Sequence, residues 1–67
     1  MALKDNVKSF REDRNLSQLQ LAEQLGVNQA MISYIESGMK IPSLALTISL
    51  ADAFGCTIDE LVGRQSA

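Results

Sequence analysis

Gln29, Ala30, Ser33, Tyr34 and Ser37 bring an amide, three hydroxyls and a bare methyl to one stretch of chain. Such groups donate and accept hydrogen bonds or make small apolar contacts, and none is charged at neutral pH. Bond-making chemistry finds little support elsewhere. The 67 residues include no histidine and one cysteine, Cys56, so a zinc site or a His-based triad cannot be built. The carboxylates and serines form no recognisable catalytic constellation, and no enzyme, cofactor or metal is expected. What remains is recognition by hydrogen bonding.

For these five side chains to act together, one element must carry them on one face. "QAMISYIESGMK" reads as a helix in which Ile32 and Ile35 face a core. At about 100° per residue, Gln29, Ala30, Ser33, Tyr34 and Ser37 share an arc of about 140°, opposite Met31, Ile32 and Ile35. A solvated face ordinarily carries Lys and Glu. This one does not.

Punctuation divides the chain into five short helices. Leu3, Val7 and Phe10 define the first, from about Ala2 to Arg14, with Asn15 able to take a left-handed turn at its end. Ser17 and Gln20 form a capping box for the second, stapled by Leu16 and Leu21, which ends at Gly26. Asn28 caps the third and Gly38 closes it. Pro42 and Ser43 open a fourth, whose inward stripe is expected to be Leu44, Thr47, Leu50, Ala51 and Phe54, up to Gly55. Thr57 and Glu60 cap a fifth, ending in a short tail at 63–67. Cys56 is read as a small buried apolar residue. The fold class expected is all-α: one compact five-helix bundle filling residues 1–67.

With 46% hydrophobic residues the chain is too apolar for disorder and too interrupted for a membrane span. A single cysteine and no secretory leader point to the cytoplasm. The net charge is −2, but residues 1–43 balance five cations against five carboxylates. The acidic excess lies in residues 44–67, where Arg64 faces Asp52, Asp59 and Glu60. Overall charge bears on solubility and steering, not on what one face binds.

Two helices separated only by Gly26 and Val27 before the next cap must cross steeply, as in a helix-turn-helix. Ala22 is small where they approach, and Val27, Ile32 and Ile35 fill the angle. Here "LSQLQLAEQLGVNQAMISYIESG", followed by "IPSL" and "LADAFGCTIDEL", resembles the helix-turn-helix family of phage lambda-type repressors and Cro proteins (Xre-like regulators). The similarity spans about residues 3–62.

The resemblance implies a lambda repressor-like DNA-binding domain, with the helix-turn-helix at 18–37 and its recognition helix at 28–37. A major groove admits one helix and displays donors, acceptors and methyls, which amides, hydroxyls and small side chains can read. The family's base-contact positions fall on Gln29, Ala30, Ser33 and Tyr34, the last also placed to meet the phosphate edge. Its phosphate-contact positions fall on Gln18, Asn28, Ser37 and Lys40. Arg11 and Glu36 match a structural ion pair between the first and third helices. Met39, Ala30 and Tyr34 stand where relatives often place a basic residue, so the phosphate anchor looks thin. Three or four cationic contacts per subunit would give a dimer a slope of log K against log[salt] of about −5 to −7.

The function expected is a sequence-specific transcriptional regulator, a repressor holding a pseudo-palindromic operator as a homodimer. Surplus apolar residues, Leu46, Ala53, Ile58, Leu61 and Val62, are the expected two-fold interface, away from the recognition helix. The competing reading is a protein-interaction module, such as an antitoxin, built on the same fold.

Overall fold

Each expected stop signal ends a helix. The computed structural model describes residues 2–63, so the tail expected at 63–67 lies, from residue 64 onward, outside the described residues. Helix α1 spans Leu3–Asp13, α2 Gln18–Leu25, α3 Gln29–Ser37, α4 Leu44–Phe54 and α5 Ile58–Val62. No strand occurs among the described residues.

The boundaries have local causes. Both capping boxes form. Ser17 Oγ accepts from the Gln20 amide at 3.0 Å while Gln20 Oε1 accepts from the Ser17 amide at 2.8 Å. Thr57 and Glu60 repeat the exchange at 3.0 and 2.9 Å. Those bonds hold the Glu60 carboxyl below the usual carboxylate range. Their support for α5 is therefore full above about pH 4.3 and fades as pH falls through the lowered folded value. Asn15 takes φ 56°, the left-handed turn expected of it after α1.

Gly26 sets the crossing of α2 and α3. Its φ of 73° lies in the left-handed region that side chains disfavour, although a Cβ there would meet nothing within 4 Å. The requirement is backbone conformation alone.

The core gathers Val7 of α1, Leu21 and Ala22 of α2, Ile32 and Ile35 of α3, Leu50, Ala51 and Phe54 of α4, and Leu61 of α5. Leu3, Phe10, Leu16, Leu25, Val27, Met31, Leu46 and Cys56 pack around it, half-buried. Burial also pushes the Cys56 thiol upward, away from thiolate chemistry.

Two expectations fail. Leu44 is not part of the inward stripe of α4 but 72% exposed. Thr47, Leu50, Ala51 and Phe54 do face inward; Leu44 sits about 70° from the middle of that stripe, on the helix's first residue. Leu61, expected on a dimer surface, is 0% exposed and completes the monomer's own core. A five-residue helix has one face to offer, and α1 and α4 take it.

Asn6 of α1 and Arg14, the residue just past its end, tie the bundle together. Asn6 Nδ2 donates to the carbonyls of Leu61 at 3.0 Å and Glu60 at 3.4 Å, holding the end of α5. Arg14 donates to the carbonyls of Phe10, at 3.1 Å, and Phe54. Its guanidinium lies 5.5 and 5.4 Å from the Phe10 and Phe54 ring centres, and the rings stack at 5.4 Å. A cation at the end of α4 also suits the helix dipole.

Candidate nucleic-acid interface

Helix α3 displays the face expected of it. Ile32 and Ile35 are buried and Met31 is half-buried, while Gln29, Ala30, Ser33, Tyr34 and Ser37 are all exposed. The helix starts where Asn28 Oδ1 accepts the Met31 amide at 2.9 Å and ends on Gly38 at φ 81°. A Cβ on Gly38 would stand 3.0 Å from Cδ of Lys4, whose stem runs across the end of the helix. Ser37 Oγ donates to the Tyr34 carbonyl at 3.0 Å, which leaves its lone pairs to accept.

Glu36 fixes the helix from behind. Arg11 Nε donates to Glu36 Oε2 at 2.7 Å and Nη2 to Oε1 at 3.0 Å, a two-pronged pair, while Nη1 holds the Leu16 carbonyl at 2.7 Å. The two side chains are 11% and 5% exposed. Hydrogen bonding to Glu36 raises the Arg11 pKa beyond its already high value, so the guanidinium stays charged. The pair links the first and third helices.

Gln18 joins the same carboxylate, its Nε2 donating to Glu36 Oε1 at 3.2 Å. The start of α2 and the last turn of α1 thus share one acceptor on α3. Nothing in the spacing of Gln18 announced that bond. It leaves one amide hydrogen of Gln18 for another acceptor.

Beside this network runs an open groove between α1 and α3, lined by Lys8, Arg11, Gln18, Ser33, Glu36 and Ser37. Lys8 was not singled out from the sequence. The missed signal is position: Lys8 precedes Arg11 by one turn, so a chain that pairs Arg11 with α3 must bring Lys8 near the same helix. Lys40 is exposed beyond Gly38.

The other expected contact surface is less uniform. Ile58 is exposed, Leu46, Ala53 and Val62 are half-buried, and Leu61 is inside. Apolar exposure is greater at Met39, Ile41, Leu44 and Ile48, around the α3–α4 connection.

Comparison with known proteins follows the same lines. A family model described as Helix-turn-helix matches residues 7–61. The transcriptional repressor RstR of the cryptic phage CTXphi of Vibrio cholerae is 33% identical over 96% of this chain, which spans 57% of that protein's length. An HTH-type transcriptional regulator of Methanocaldococcus jannaschii is 39% identical, with 88% of this chain and 89% of that one covered. The P22 c2 repressor, crystallised with a synthetic operator, superposes with a TM-score of 0.90 at 22% identity, covering 97% of this chain and 98% of its own. At that identity the likeness is one of fold.

Proposed function

Because the chain belongs to the helix-turn-helix family of phage-repressor (Xre, lambda) type, we propose that it is a sequence-specific regulator of transcription that lays α3 in the major groove of double-stranded DNA. The observation that carries this reading is the exposed face of α3, which is uncharged, short-chained and braced from behind by Arg11 and Glu36. Gln29 is suited to pair with adenine through both amide groups, Ala30 to touch a thymine methyl, and Ser33 and Tyr34 to bond base edges. Gln18, Asn28 and Lys40 would hold the flanking phosphates, joined by Ser37 when its hydroxyl turns from the Tyr34 carbonyl, and contacts of that kind set register without reading sequence.

The test is selection of a binding site from a random duplex library, followed by Gln29→Ala. The variant is expected to lose about 1–3 kcal/mol on the selected site and little on random duplex. Equal losses on both would remove Gln29 from base reading.

Salt dependence should be shallow. Among the described residues Arg11 is tied to Glu36 and Arg14 to Phe10 and Phe54, leaving Lys4, Lys8 and Lys40. Two or three phosphate contacts per subunit give a dimer a slope of about −4 to −5, less steep than composition alone predicts. Titrations at several salt concentrations measure it. A slope of −7 or steeper would show that an arginine leaves its partner on DNA.

The regulator is proposed to act as a homodimer, a two-fold pair presenting two α3 helices to half-sites one helical turn, roughly 34 Å, apart. Ile58, with Val62, Leu46 and Ala53 at its margin, supplies the proposed contact. Leu61 supports that surface from inside and does not form it.

A further inference from the structure

We propose that the groove between α1 and α3 seats a DNA phosphate and that Lys8 is its anchoring cation, an inference that rests on α3 entering the major groove. The groove opens beside the reading face, since Ser33 and Ser37 belong both to its wall and to the outward arc of α3. A helix lying in the major groove has the sugar–phosphate backbone along its flank. That flank is here.

The charges inside the groove favour an anion. Among the described residues Glu36 is the only carboxylate lining the groove, and it is covered: Arg11 donates to both its oxygens and Gln18 adds a third bond. The Arg11–Glu36 pair cancels, leaving Lys8 as the uncompensated charge on the wall. Lys8 is exposed and takes part in no ion pair or hydrogen bond among the described residues. Its ammonium therefore brings its counterions to the interface and releases them when a phosphate takes their place. The hydroxyl of Ser33 and the remaining amide hydrogen of Gln18 complete the lining with neutral donors, while the Ser37 proton is held by the Tyr34 carbonyl.

Lys8→Met tests this, because a methionine at an exposed helix position keeps the stem and the helix propensity and removes only the charge. Affinity is measured on the selected duplex and on random duplex over a range of salt. Lys8→Met is expected to weaken binding by the same factor on both DNAs and to flatten the salt slope by about 1 per subunit, with Lys8→Arg restoring the slope. An unchanged slope overturns the proposal, whatever the affinity. A loss confined to the selected duplex overturns it too, by making Lys8 a base reader. If Lys8→Met binds like wild type while Gln29→Ala loses the selected site, the phosphate anchor falls and the reading of α3 stands. If wild type enriches no duplex from the library, both fall.

Discussion

Leu61→Glu is expected to unfold the domain. Leu61 is fully buried among residues of the core, so the substitution removes a leucine from that core and leaves a carboxylate in its place. Losing the buried leucine costs about 2–5 kcal/mol, and desolvating an unpaired charge adds several more. A chain of 67 residues has about 3–10 kcal/mol of net stability to set against that, at roughly 0.05–0.15 kcal/mol per residue. Circular dichroism should show lost helicity and no cooperative melt. Ile58→Glu, three residues earlier, is the informative partner, because Ile58 is 39% exposed and its side chain can change without opening the core. That variant should melt like wild type and sediment as a monomer at concentrations where wild type is expected to dimerise. Native melting of Leu61→Glu would contradict the core assignment, and dimeric Ile58→Glu would take α5 out of the interface.

Glu36→Ala should cost about 3 kcal/mol, well above the 0–1 kcal/mol of an exposed pair. The reason lies in what is left behind. Arg11 keeps one bond, to the Leu16 carbonyl, but Nε and Nη2 lose their acceptor in a position where the side chain is 11% exposed. Gln18 loses its acceptor as well. For a domain of this size the melting temperature should fall by about 10–20 °C. Combining Glu36→Ala with Arg11→Met should recover part of the loss, since replacing both partners leaves no stranded charge. A Glu36→Ala variant that melts like wild type but binds DNA differently would move Arg11 into the phosphate contacts.

Helix boundaries were legible because they depend on neighbours in sequence. Ser17 with Gln20, Thr57 with Glu60, and Gly26 and Gly38 act within a few residues, and each did in the fold what it does locally. The division of α3 into exposed and buried faces was legible for the same reason, since helical periodicity sets it. Leu44 and Leu61 were misplaced because burial is decided by which helix lies opposite, a matter of tertiary packing that a wheel cannot contain. The ties made by Asn6 and Arg14 were missed for a related reason. Leu3, Asn6, Val7, Phe10 and Arg11 fall on one stripe of α1, which its cap residue Arg14 continues. Three polar residues on an apolar stripe mark places where the core needs partners: α5 carbonyls for Asn6, Glu36 for Arg11, the end of α4 for Arg14.

Helix α5 shows what that stripe does over time. Five residues are too few for a helix to persist alone in water, since nucleation costs more than one turn returns. Ile58–Val62 keeps its shape through Leu61 in the core, the Thr57–Glu60 box and the Asn6 amide on its last carbonyls. It is therefore the segment expected to detach most readily, in brief openings that leave the other four helices assembled. During such an opening Leu61 reaches solvent, its amide exchanges hydrogen and a protease can cut there. A second subunit resting on Ile58 would make those openings rarer. The lifetime of the protein would then rise with its own concentration.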